Sequence, residues 1–196
     1  MQIGANNTIH DTAIIELGAV IGNNNTIKAG AIIKAGAVIG NDNYIGEYCI
    51  IAANAEKVGY LDKQGKASIG HNNHLTKFVT IDAGTEHVTY IGDNNLFLRG
   101  SHIGHDVSML NNCTIACNVA VGGFAIINSW VNIGLNASIH PRSILALGTM
   151  LGAGSFYKAK SIDEFKIWAG QPAKIKKDNK IGKDRYLLNL KNSLYE

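Results

Sequence analysis

The sequence predicts an all-β fold, a left-handed parallel β-helix, on three observations. An aliphatic residue recurs at every sixth position, 22 glycines stand beside only 2 prolines, and asparagines are spaced by eighteen. The aliphatic beat runs through Ile3, Ile9, Ile15, Ile21, Ile27, Ile33, Ile39, Ile45 and Ile51. It resumes at Ile69, Leu75 and Ile81, and again from Ile91 without a break to Leu151. A period of six suits neither a helix, at 3.6, nor a flat strand, at 2. It suits a short strand followed by a tight corner, three of which close a triangular coil. The aliphatic side chain then points into the lumen. A small residue four positions later, such as Ala13, Ala31, Ala37, Ser101, Val107, Cys113 or Ala137, fills the crowded corner. The glycine that often follows the aliphatic residue is expected to supply positive φ at the turn. Stacked coils pair their strands at about 4.8 Å, in one of the rare exceptions to the right-handed crossover rule.

Two interruptions predict inserted loops, at about residues 53–66 and 82–90. The β-helix is expected over 1–156. A C-terminal extension, 157–196, follows, with a short amphipathic helix over Lys183–Tyr195 whose stripe is Leu187, Leu190 and Leu194. The asparagines calibrate the coil. Asn7, Asn25 and Asn43 form a stacked amide ladder in one corner, and with about twelve and then four residues looped out, Asn73 and Asn95 continue it.

The same register brings Asp82, His102, His105 and His140 to or near another corner. Asp82 falls one coil below His105 and His140 two coils above it, with Gly122 and Gly123 between. His10, His71 and His74 fall elsewhere. An imidazole beside side-chain-free backbone and a carboxylate suits acyl transfer. His105 would take the proton of an attacking hydroxyl or amine, and the Gly123 N–H would stabilise the oxyanion. On spacing alone, these histidines are equally well read as turn residues on a polar corner.

Composition narrows the field. A formal charge of +3, with lysines clustered late, leaves room for a local anion site but lacks the dense basic stripe of a nucleic-acid binder. Three cysteines without zinc spacing read as small buried residues of a reducing compartment. The first residues lack the basic and apolar regions of a signal peptide, and no apolar run is long enough for a membrane span. Cytoplasmic location is the expectation.

The run Gly100–Ser–His–Ile–Gly–His–Asp106, after Phe78–Val–Thr–Ile–Asp–Ala–Gly–Thr85, resembles the UDP-N-acetylglucosamine O-acyltransferases of lipid A synthesis, over about Ile9 to Ser155. The resemblance implies that His105 is the catalytic base, Asp106 its neighbouring acid, Gly123 the oxyanion-hole amide, and His102 and His140 further active-site histidines. Phe124, Pro141 and Lys57 depart from the family pattern, where a histidine, a glutamine and a sugar-binding aspartate stand. The segment Ile167–Trp–Ala–Gly–Gln–Pro–Ala–Lys–Ile–Lys–Lys177 resembles the closing stretch of CoA-dependent hexapeptide acetyltransferases. That likeness implies acyl-CoA as co-substrate, with Gly170 and Ala173 lining the pantetheine and Lys174 and Lys176 reaching its phosphates. An acyl carrier protein is the alternative donor.

The expected function is therefore acyl transfer from acyl-CoA to a hydroxyl or amine of a nucleotide-linked sugar, in a homotrimer with sites between subunits and no permanently bound cofactor. Two other readings compete. One is a γ-class carbonic anhydrase, with three histidines around zinc, although His102 and His105 have the wrong separation for it. The other is a non-catalytic scaffold.

Overall fold

A computed structural model describes residues 1–193; Leu194 and Tyr195, which the sequence reading placed in the terminal helix, lie outside the described residues. The chain winds as a left-handed parallel β-helix with three sheet faces. Most strands are two residues long, and each pairs in parallel with the strand one coil on. Gln2 and Ile3 face Val20 and Ile21 on the first face, Thr8 and Ile9 face Thr26 and Ile27 on the second, and Ile14 and Ile15 face Ile32 and Ile33 on the third.

The six-residue beat is the lumen. From Ile21 to Leu151 every beat residue is buried, whereas Ile3, with no coil beneath it, is 41% exposed. Each buried aliphatic side chain contributes about 1.5–3 kcal/mol. Tyr157 takes the next beat position and Trp168 caps it, their rings 5.1 Å apart; the Tyr157 hydroxyl donates to the Ile144 carbonyl at 2.7 Å.

The asparagine ladder forms as expected. Asn25 Nδ2 donates to Asn7 Oδ1 at 3.1 Å, Asn43 to Asn25 at 3.0 Å, and Asn73 to Asn43 at 3.1 Å, and the Asn95 amide N–H donates to Asn73 Oδ1 at 2.9 Å. The step lengthens from 18 residues to 30 and then to 22 across the two insertions.

The glycines act differently from the sequence expectation. Those following the beat residue do not carry the positive φ, which falls two residues later on Asn6, Asn24, Asp42, Asn72 and Asn94. Asparagine and aspartate tolerate the left-handed region because their short polar chains bond locally. Gly22 is needed for space instead: a Cβ there would lie 2.5 Å from the Gly40 carbonyl oxygen of the next coil.

At the C-terminal end, Lys166–Gly170 extends the second face beside Met150–Leu151, and Ala173–Asp178 returns antiparallel to it. The helix spans Lys180–Asn192, with the Asn179 side chain accepting from the Gly182 N–H as its cap. It packs through Tyr186, which meets Trp130 and Phe165, rather than through a leucine stripe: Leu187 and Leu190 are exposed. Among the described residues no helix is long and apolar enough to cross a membrane.

Candidate active site

The third face carries the site. Strand Thr80–Asp82 pairs with His102–Ile103, which pairs with Ala120–Val121, which pairs with Ser138–Ile139. Each strand ends at the same corner, so the residues that follow are stacked: His105 over Ala83, Gly123 over His105, Pro141 over Gly123. Backbone bonds from Phe124 N–H to the His105 carbonyl, 2.9 Å, and from Arg142 N–H to the Gly123 carbonyl, 3.0 Å, fix this column. A bulge where Ala52 takes φ 58° shifts the pairing of Asp82 to Ala53 and starts the first insertion at this corner.

His105 Nδ1 lies 2.7 Å from Asp106 Oδ2. Asp106 accepts in addition from the N–H groups of Thr85, Glu86 and His87 and from the Thr85 hydroxyl, at 2.6–3.0 Å, so the second insertion is wrapped around its carboxylate. Burial alone would raise the pKa of Asp106; the bonds from His87, His105, Thr85 and Glu86 outweigh it and hold the group well below the usual carboxylate range. An ionised carboxylate only accepts, so Nδ1 of His105 carries a proton, which leaves Nε2 as the accepting nitrogen of the neutral ring. Nε2 faces Gly123 closely: a Cβ on Gly123 would sit 2.7 Å from it. Within the described residues the Gly123 N–H has no protein acceptor.

A groove of about 310 Å³ opens here, lined by Glu56, Asp82, His102, His105, Gly122, Gly123, Ser138 and Pro141 among others. His102 Nδ1 is bonded to the Thr80 hydroxyl at 2.8 Å, and its Nε2 stands 3.8 Å from Asp82 Oδ2. Burial lowers the His102 pKa, His105 adds to that, and Glu56 opposes it. Burial pushes Asp82 up to about 7, against a bond from the Glu56 backbone and with the Glu56 charge adding to the rise.

Of the five residues assigned from the sequence, the structure brings together His102, His105, Asp106 and Gly123. His140 does not line the groove; its Nδ1 rests 2.9 Å from the Pro141 carbonyl and its ring against Phe156. The sequence reading missed the link between the two insertions. Lys57 Nζ bonds Glu86 at 2.9 Å and Thr85 at 3.1 Å, and stands over the Phe124 ring, which Arg142 covers as well at 4.2 Å. The edge of Phe124 abuts His105 at 5.2 Å. Glu56 and Arg142 were missed too, and no periodic signal marks either.

Gly170, Ala173, Lys174 and Lys176 lie elsewhere. They form the end hairpin on the second face, at least three strand spacings from His102, about 14 Å along the axis, and both lysines are exposed.

Residues 18–53 match the family model for the bacterial transferase hexapeptide, six repeats. The acyl-[acyl-carrier-protein]–UDP-N-acetylglucosamine O-acyltransferase of Nautilia profundicola is 34% identical over 101 residues, 52% of this chain and 39% of that protein. Its counterpart from Stutzerimonas stutzeri is 29% identical over 97 residues, 50% of this chain and 37% of that protein. The chain thus matches under half the length of these curated relatives. Among solved structures, the UDP-N-acetylglucosamine acyltransferase of Bacteroides fragilis superposes with a TM-score of 0.90 at 32% identity, over 94% of this chain and 73% of that one. That of Campylobacter jejuni gives 0.81 at 27%, over 91% and 77%. These relatives overturn one expectation: they are named for an acyl-[acyl-carrier-protein] donor, so acyl-CoA as co-substrate is withdrawn. At 32% identity over nearly the whole of this chain, the chain belongs to the hexapeptide-repeat transferases, in the family of the UDP-N-acetylglucosamine acyltransferases.

Proposed function

We propose that this protein transfers an acyl group from an acyl carrier protein thioester to a nucleophile on a nucleotide-linked sugar, with His105 as general base. The observation that carries the reading is the His105–Asp106 pair packed beneath Gly123. Asp106 is a positioning residue: it holds the proton on Nδ1, leaving Nε2 free to accept one from the acceptor. The nucleophile then attacks the thioester carbonyl, and the Gly123 N–H takes the developing oxyanion. Collapse expels the carrier's thiolate, which is protonated from the imidazolium. His102 shares the groove and would orient the acceptor. Lys174, Lys176 and the neighbouring Lys177 offer an exposed basic strand to an acidic carrier surface.

A homotrimer fits this reading. The outward positions of the first and third faces are largely apolar, including Val38, Tyr90 and Ile126 on one and Ile14, Ile32 and Phe156 on the other. The second face carries Thr8, Thr26, His74, Thr114 and Asn132. Packing the apolar faces around a threefold axis would set the His105 groove between subunits. Sedimentation tests the assembly, and a stable monomer at micromolar concentration contradicts it. The activity is tested by incubating the protein with acyl carrier protein thioesters and a panel of UDP-sugars that present either free hydroxyls or a primary amine, and reading the products by mass. A sugar heavier by one acyl group is expected; thioester hydrolysis alone, or no reaction across a range of chain lengths and UDP-sugars, contradicts the reading.

A further inference from the structure

Among the described residues, two acidic groups in the groove, Asp82 and Glu56, have no lysine or arginine side chain in ion-pair range. Asp82 is 2% exposed and its Oδ2 makes no hydrogen bond within the described structure. The nearest cation candidate is His102, but 3.8 Å is beyond hydrogen-bond range, and burial favours its neutral form. Glu56 lines the same groove from the first insertion. Lys57, the next residue along, is turned to Glu86 and Thr85 and so does not neutralise either. A buried carboxylate oxygen left unpaired destabilises the fold, and an arriving donor removes that cost. Beside the base and the oxyanion amide, that donor belongs to the acceptor itself.

We infer that the acceptor nucleophile is a primary amine, bound as its ammonium form between Asp82 and Glu56 next to His105. This rests on the acyltransferase reading and narrows its substrate class. A neutral hydroxyl supplies one proton and no charge to two carboxylates, whereas an ammonium supplies three protons and a positive charge. Asp82, whose charged form burial disfavours, would be held ionised by that partner. The ammonium passes one proton to His105, which releases it to solvent. The neutral amine attacks the thioester carbonyl, and the C–S bond breaks as the amide C–N bond forms. The amine's second proton passes through His105 to the departing thiolate. One thioester and one ammonium give one amide, one thiol and one proton.

The experiment compares UDP-N-acetylglucosamine with analogues bearing a primary amine in place of the 3-, 4- or 6-hydroxyl. Calorimetric binding and kcat/KM are measured for the wild type, Asp82→Asn and Glu56→Gln. One amino analogue is expected to bind about tenfold or more tightly than the parent sugar, the scale of a hydrogen bond to a charged group. It should be acylated on nitrogen, and Asp82→Asn should erase that preference by weakening the amino analogue about tenfold more than it weakens the parent sugar. Equal or better binding and turnover of the hydroxyl sugar overturns the amine assignment and leaves the acyltransferase reading intact. An equal loss for both acceptors in Asp82→Asn overturns it too. Tight amine binding with no acyl transfer to any acceptor keeps the ammonium site and overturns the acyltransferase reading. The exposed Glu56→Gln should fold in any case, and a preference for the amine that it leaves unchanged argues against the paired site.

Discussion

Two corners of the same coil are built on one register and end in opposite states. The asparagine corner is closed: each amide from Asn7 to Asn73 bonds the next, and their remaining donors reach backbone carbonyls such as those of Gly22, Gly40 and Gly92. The His105 corner is open. There the repeat is interrupted twice, a bulge enters at Ala52, and the stack reads Ala83, His105, Gly123, Pro141 with no side-chain ladder at all. Asp82 Oδ2 stays unpaired and the Gly123 amide finds no protein acceptor. Buried polar atoms lack partners elsewhere too, Asn95 Nδ2 at the end of the ladder among them; what sets the His105 corner apart is that Asp82 and Gly123 line a groove. The first corner serves the stability of the coil, beside the apolar lumen, and the second carries the chemistry proposed above.

Substitutions should separate the two. Asp106→Asn carries the largest combined effect. It removes the acceptor that fixes the His105 tautomer and loosens the insertion whose three N–H groups it binds, so turnover should fall about a hundredfold or more and the melting temperature should drop with it. Unchanged turnover would show that the pair has no part in the reaction. Gly123→Ala should lower turnover by about tenfold or more at nearly unchanged stability. The new methyl would press on the imidazole at 2.6 Å, while the backbone there needs no positive φ. Asn43→Ala should do the reverse. It strands the Asn73 N–H in a buried corner and takes the Asn43 side-chain donor from the Gly70 carbonyl, costing about 1–3 kcal/mol in denaturant titrations with turnover intact.

The last effect shows only in its pH dependence. The pKa of Asp82 is raised in the folded protein, to about 7. Its contribution to stability is therefore full below the unfolded value, about 3.9, and is lost as pH rises through the folded one. Asp82→Asn should leave the melting temperature similar near pH 4–5 and raise it relative to wild type near pH 8. A variant less stable than wild type at both ends would mean that Asp82 is internally paired after all.

The sequence made the first corner far more legible than the second. A six-residue beat and an eighteen-residue asparagine spacing are periodic, so they survive insertions and locate every strand, and the column containing His105 and Gly123 follows from them. The glycine after the beat was legible in position but not in cause, because chain-to-chain approach between coils is a long-range fact that mimics a turn signal. Glu56 and Lys57 sit in an aperiodic loop whose shape depends on contacts with Thr85, Glu86 and Phe124, almost thirty to seventy residues away. The terminal helix misled for a related reason: spacing marked Leu187 and Leu190, while the surface on offer, Trp130 and Phe165, takes the aromatic ring of Tyr186.

Whether the open corner holds a general base is read from the turnover of His105→Ala at saturating donor and acceptor. Loss of a general base typically costs a hundred- to ten-thousandfold. A loss on that scale is expected, with the melting temperature and acceptor affinity close to wild type because the imidazole carries no strand pairing. Retention of more than about a tenth of wild-type turnover would contradict it.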